Sequence, residues 1–155
     1  MLDLDAFKKT YLTVGLTDEQ IQAIADLATL RRFSPQETLI RMGDQSSDLY
    51  VILNGRLAVL TPDGDKISEV GPGSLLGEIA LIDARPRTAN VVCVGLVDAA
   101  VIPAQALRSL LSKNRDWGFV VLSNLARVLA GRLRVANEKI EELYDKNSDT
   151  WDNAL

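Results

Sequence analysis

Between Leu75 and Val91 the sequence reads LLGEIALIDARPRTANV, in which the carboxylate of Glu78 directly follows a glycine and the guanidinium of Arg87 comes nine positions later. An arginine supplies a permanent charge and a planar fork of donors suited to paired contacts with phosphate oxygens. The segment EIALID is long enough for one or two helical turns, and it follows a glycine able to adopt backbone angles closed to other residues. The free N–H groups at the start of such a turn are available to an anion. Pro86 fixes the backbone just ahead of Arg87 and so limits the freedom lost on binding. A carboxylate repels an anion unless the ligand also offers hydroxyl donors, and a ribose does. One acid for a sugar hydroxyl and one arginine for a phosphate describe a nucleotide monophosphate whose sugar and phosphate lie close together. Spacing alone leaves equal room for two unrelated surface charges.

The rest of the composition narrows the chemistry. The chain of 155 residues has no histidine and one cysteine, Cys93. Ser-His and Cys-His nucleophiles, histidine-ligated zinc, histidine-held haem and four-thiolate clusters are therefore excluded. The donors that remain suit binding better than turnover, so the chain reads as a non-enzyme with no metal site and no catalytic residue. Cys93 sits in the apolar run ANVVCVG and reads as a buried structural thiol. The net charge is −4, and the stretch from Glu138 to Asp152, with six acids against Lys139 and Lys146, accounts for all of it. No basic stripe is left to contact nucleic acid directly. No apolar run approaches a membrane span, and the N-terminus lacks a signal-peptide core, so a cytoplasmic location without membrane contact is expected.

The elements that must hold these residues follow from periodicity. Residues 1–30 read as helical, with Thr17 capping DEQIQAIADLATL, Gln20 at the capping-box position and Ile21, Ile24, Ala25, Leu27 and Ala28 on one face. Residues 31–102 change to short alternating or apolar runs separated by turn residues, including NG at Asn54–Gly55 and PDGD at 62–65, which predicts seven or eight strands in a β-roll or barrel. Residues 103–145 return to helical period as a short helix and a long one. In the long helix Leu122, Leu125, Leu129, Leu133, Ala136, Ile140 and Leu143 draw one apolar stripe. Its first half can cover the β-roll, and its second half needs another partner, for which a second copy of the chain is economical. The acidic tail, 146–155, reads as polar enough to fray. The fold class is thus α+β, an eight-stranded antiparallel β-roll flanked by N-terminal helices and a long C-terminal helix, in one domain over 1–145.

The stretch GPGSLLGEIALIDARPRTANV closely resembles the phosphate-binding cassette of cyclic nucleotide-binding domains, the module shared by catabolite-activator-type regulators, cyclic-nucleotide-dependent kinases and cyclic-nucleotide-gated channels. The resemblance extends upstream through RMGDQSSDLYVILNGRLAVL and downstream through LARVLAGRLRVANEKIEEL. It implies that Glu78 holds the ribose 2′-hydroxyl and Arg87 the exocyclic phosphate oxygens. The backbone at Gly77, Ile79 and Ala80 would line the pocket, beside Ala89, and Thr88 would place a hydroxyl near phosphate and base. Val135 to Lys139 matches the segment that closes over the base, where Ala136 and Asn137 stand in place of the small hydroxyl residues often found in bacterial regulators. The implied ligand is cAMP or cGMP, with cAMP slightly favoured. Expected partners are a second copy through the C-terminal helix and an unidentified effector protein. A degenerate fold that dimerises without nucleotide, and the sensor half of a transcription regulator, are the alternatives. Gly131 reads either as a hinge for the closing segment or as a site of close helix packing.

Overall fold

The computed structural model describes residues 2–82, 87 and 89–154. The chain opens with helix α1 (Leu4–Lys8), a 3-10 turn (Tyr11–Thr13) and helix α2 (Asp18–Ala25). Thr17 and Gln20 form the reciprocal cap expected from their spacing. The Gln20 N–H donates to the Thr17 hydroxyl at 3.3 Å, and the Thr17 N–H donates to the Gln20 side chain at 2.9 Å. Helix α2 ends earlier than its apolar period suggests. Thr29 and Leu30 instead open strand β1 (Thr29–Phe33), which pairs antiparallel with β8. Pairing along a long neighbouring strand overrides a helical pattern with two favourable residues left in it.

Eight strands form two antiparallel four-stranded sheets. The first has the order β1-β8-β3-β6, with β3 (Asp48–Asn54), β6 (Leu75–Leu76) and β8 (Val97–Pro103). The second has the order β2-β7-β4-β5, with β2 (Thr38–Ile40), β4 (Leu57–Leu60), β5 (Lys66–Val70) and β7 (Asn90–Cys93). The central strands β3 and β8 of the first sheet are buried on both faces, which explains their near-continuous apolar runs, while edge strand β1 is largely exposed. Leu49, Val51, Ala100 and Ile102 face the helices, while Tyr50, Ile52, Ala99 and Val101 face the second sheet. Burial of each large side chain in these two cores contributes about 1.5–3 kcal/mol. Cys93 belongs to the inter-sheet core and is 1% exposed. Burial pushes its thiol pKa up, with a smaller contribution from Glu37.

The turns carry out what their residues allow. The PDGD turn joins β4 to β5 through the Thr61 N–H donating to Asp65 O at 2.8 Å and the Gly64 N–H donating to Thr61 O at 3.0 Å. Helix α3 (Ile79–Ile82) follows β6, α4 (Ala104–Lys113) follows β8, and α5 runs from Arg115 to Ala154. The tail expected to fray is therefore helical as far as Ala154. The sequence offers neither glycine nor proline after Gly131 to stop the helix, and polar residues propagate one readily. Val121, Leu125 and Val128 pack into the helical core. Asn124, 3% exposed, donates to Leu12 O and Val14 O at 2.9 Å each and so ties α5 to the 3-10 turn. No helix among the described residues is long and apolar enough to cross a membrane.

Candidate functional site

Strand β6 pairs with β3, which places Leu76 beside Tyr50 and delivers the chain to Gly77 at the edge of the first sheet. Gly77 has φ +76, and an added Cβ would lie 2.6 Å from Asp48 O and 2.5 Å from Arg87 Nη1. Glycine is thus required twice over, for the left-handed backbone and for the close approach of a guanidinium. Glu78 follows and is 3% exposed, unusual for a carboxylate, which is rarely buried unless paired. Its partner is Arg132 of α5, whose Nη1 donates to Glu78 Oε1 while its Nη2 donates to Leu75 O.

Arg87 is held from both main chain and side chain. Its N–H donates to Asp44 O at 3.0 Å and its carbonyl accepts from the Gly43 N–H at 2.9 Å, so the Gly-Asp turn after β2 fixes where the residue sits. Its Nη1 donates to Gly77 O at 3.0 Å and its Nη2 to Asp48 O at 2.6 Å. The remaining donor, Nε, is buried and has no hydrogen-bond partner among the described residues. An unsatisfied buried donor on a charged group is costly, and an anion placed against it removes the cost.

These residues open onto a cleft of about 1150 Å3 between the second sheet and α5. Gly77, Glu78, Ile79, Arg87 and Ala89 all line it, and Ala80 lies one residue further along α3. The sequence-predicted cassette is thus brought together around one space. Thr88 lies outside the described residues. Across the cleft, α5 contributes Arg132, Val135, Ala136, Lys139 and Ile140, at the spacing of a single helix face. Lys139 Nζ donates to Ile67 O of β5 at 2.6 Å and straps the helix to the far wall. Asn137, expected at the base edge, is exposed on α5 and does not line the cleft. It is separated from Ala136 by about 100° around the helix. Gly131 lines the cleft, and an added Cβ would meet nothing within 4 Å, so no neighbour within the chain requires a glycine there.

The walls are mainly aliphatic, from Ile40, Val59, Leu76 and Val91. Glu69 also faces the cleft, where Arg56 and then Lys66 hold its carboxyl down to about 2. This depression stabilises the pairing above the ordinary glutamate range, and the contribution is lost only as pH falls toward 2. Arg132 is the functional residue that sequence reasoning passed over. The signal was its phase, since positions 132, 135, 136 and 139 share one face with the segment already singled out.

Comparison with known proteins agrees with this geometry. The family model described as "Cyclic nucleotide-binding domain" matches residues 30–114, more than half of the chain. The CRP-like cAMP-activated global transcriptional regulator of Mycobacterium tuberculosis is 30% identical over 133 residues, covering 83% of this chain and 58% of the regulator. Glutaminase 2 of Bradyrhizobium diazoefficiens is 28% identical over 132 residues, covering 85% of this chain but 21% of the glutaminase. The chain thus spans between about a fifth and three fifths of the length of these two relatives, and the glutaminase match does not establish catalysis. Among solved structures, a cyclic nucleotide-binding domain from Methylobacillus flagellatus superposes with a TM-score of 0.78 at 28% identity, over 88% of this chain and 79% of that one. With the cassette assembled on an eight-stranded roll beneath a long helix, the chain belongs to the cyclic nucleotide-binding domain family.

Proposed function

We propose that the cleft binds a 3′,5′-cyclic nucleotide, cAMP somewhat in preference to cGMP, and that the chain acts as a non-enzymatic sensor. The observation that carries this reading is the buried Nε of Arg87, a charged donor with no hydrogen-bond partner among the described residues, on a side chain that lines the cleft. The cyclic phosphate accepts from it. Glu78 accepts from the ribose 2′-hydroxyl. One guanidinium contact leaves a carboxylate with further lone pairs, so Arg132 and the sugar can share it. The aliphatic walls take the base. The cAMP preference draws on the M. tuberculosis regulator, whose name describes it as cAMP-activated.

Val135 to Lys139 closes on the base, and two copies pair along the distal half of α5. In that pair Asn137, turned away from its own cleft, offers its amide to the ligand of the other copy. The same module serves equally as the sensing part of a transcription regulator like the M. tuberculosis relative. Thermal melting with cAMP, cGMP, cyclic dinucleotides and 5′-AMP tests the reading. A cyclic mononucleotide at 100 times its dissociation constant adds about 2.7 kcal/mol of stability. A melting temperature unmoved by cAMP and cGMP at millimolar concentration rejects it.

A further inference from the structure

The cleft is longer than the cassette that opens onto it. Its volume, about 1150 Å3, exceeds the roughly 300–1,000 Å3 usual for one small-molecule site. Two of its lining residues on α5, Arg127 and Lys139, are twelve positions apart, about 18 Å of helical rise. Arg132, paired with Glu78, lies between them, and the segment from Val135 that closes on the base belongs to the far end. The near end is walled by other elements. Tyr11 in the 3-10 turn, Val14 just after it and Ser74 before β6 face Arg127, Val128 and Gly131 of α5 there.

This near end is built around a positioned guanidinium. Asn124, 3% exposed, is fixed by its donations to Leu12 O and Val14 O, and its side-chain oxygen accepts from Arg127 Nη1 at 3.2 Å. A buried amide thus holds one nitrogen of an arginine that would otherwise sample many rotamers. Nε and Nη2 of Arg127 have no hydrogen-bond partner among the described residues. That edge of a guanidinium presents two parallel N–H donors, the pattern that a carboxylate accepts with both oxygens.

Apolar surface lies beside this edge. Tyr11 and Val14 are 54% and 53% exposed although both line the cleft. The Tyr11 N–H donates to Gly73 O at 3.1 Å, which ties its backbone to the loop ahead of Ser74. Glycine is costly inside a helix, and at position 131 an added Cβ would meet nothing within 4 Å. Its missing side chain leaves the near end open.

We propose that this end of the cleft is a second small-molecule site, separate from the cassette, and that it takes an aromatic carboxylate. Both carboxylate oxygens accept from the Nε–Nη2 edge of Arg127, and the ring lies against Tyr11, Val14 and Val128 over Gly131. A carboxylate suits the site better than a phosphate, because one planar edge serves its two oxygens and one positive charge balances its one negative charge. The site stands whether or not the cassette takes a nucleotide.

Benzoate, phenylacetate and phenylpyruvate are the probes, with the amides of the first two as uncharged isosteres and acetate as a carboxylate without a ring. In the isotope-labelled full chain, at least one of the three acids, at about 10 mM or below, moves the amide resonances of Val14, Arg127 and Gly131 to saturation. Its amide and acetate bind about tenfold more weakly or worse. Arg127→Gln weakens that acid about tenfold, Arg127→Lys falls between because it keeps the charge without the edge, and Gly131→Leu fills the space and abolishes binding. The acid still binds at saturating cAMP, and its affinity is unchanged in Arg87→Ala. Resonance shifts confined to Gly77–Ala80, displacement by cAMP or loss of binding in Arg87→Ala places the acid in the cassette and overturns the proposal. Equal binding of acid and amide, wild-type affinity in Arg127→Gln, or no binding of any of the three acids at about 10 mM overturns it as well. If the wild type binds neither cAMP nor cGMP, the nucleotide reading fails by itself, and the Arg127 and Gly131 variants still decide the second site. Should Arg127→Gln not fold, undiminished binding in Gly131→Leu overturns the proposal.

Discussion

At the scale of single residues, the cassette divides its labour between a guanidinium that is largely satisfied by protein and a buried carboxylate paired with a half-exposed arginine of α5. Arg87 donates to Gly77 O and Asp48 O, and its buried Nε has no partner among the described residues. Its replacement by alanine removes one side of a buried charged contact, which costs about 2–5 kcal/mol, so Arg87→Ala weakens cAMP binding by roughly thirtyfold or more. Calorimetric affinity within a factor of three of wild type contradicts the assignment. The role on the sugar proposed for Glu78 is read by a double-mutant cycle with the ligand as one partner. A 2′-deoxy cyclic nucleotide loses affinity against wild type but loses little more against Glu78→Ala, whereas additive losses give Glu78 another role. The two charges were legible in the sequence because they bracket a glycine and an apolar turn. What holds them was not: the hold on Arg87 comes from main-chain groups of Gly43 and Asp44, and the partner of Glu78 lies 54 positions away on Arg132. Neither contact leaves a periodic trace, because backbone carbonyls carry no sequence identity and distant side chains meet only after the roll has formed.

At the scale of elements, the strands and helices were legible where burial is one-sided or where a turn has specific chemistry. The Thr17 cap, the PDGD hairpin and the two C-terminal helices appear where their residues put them, whereas the NG turn carries the chain from β3 of the first sheet to β4 of the second instead of closing a hairpin. The boundaries that moved did so under tertiary pairing, as with β1 taking Thr29 and Leu30 from the end of α2. Helix α5 combines three tasks along its length. Val121, Leu125 and Val128 face the helical core, Arg132, Val135, Ala136, Lys139 and Ile140 face the cleft, and the last turns leave the domain. Polar contacts of its middle, Arg132 to Glu78 and to Leu75 O and Lys139 to Ile67 O, tie it to the domain. The exposed Lys139 contact contributes little, whereas parting Arg132 from buried Glu78 leaves a carboxylate unpaired unless a ligand takes its place. A nucleotide in the cleft adds apolar contact with Val135 and Ala136, and hydrogen exchange of residues 132–143 slows when cAMP is saturating. Protection confined to residues 77–89, with 132–143 unchanged, removes α5 as the closing element and leaves the cassette as a binding site alone.

At the scale of the whole molecule, what looked like one stripe on α5 is two. Leu125 is fully buried against the domain, while Leu122, Leu133, Ile140 and Leu143 are 49%, 62%, 62% and 62% exposed. Tyr144, 73% exposed, extends the same apolar run. Leu129, Leu133, Ala136, Ile140 and Leu143 recur at steps of three and four, the pattern of a seam between two parallel or antiparallel helices, and Leu129, Ala136 and Ile140 of these also border the cleft. A helix of 40 residues is about 60 Å long, so much of this seam passes beyond the core that covers Val121 to Val128. Water on so many aligned aliphatic side chains is unfavourable, and pairing of two copies removes it. The acids at Glu138, Glu141, Glu142 and Asp145 flank the seam and limit it to partners that keep them in solvent. Ile140 borders both the cleft and the outward face, so pairing and ligand binding share a residue. Placing aspartate at Ile140 sets an unpaired charge against the same residue's surroundings in the second copy, and the variant shifts to monomer. Light scattering reads the outcome directly. At about 100 μM the wild type runs as a dimer, as expected of an interface of standard size, and Ile140→Asp runs as a monomer with its melting temperature close to that of the wild-type domain. A wild-type monomer at that concentration removes the second copy from the account of α5, and with it the route by which Asn137 reaches a bound base.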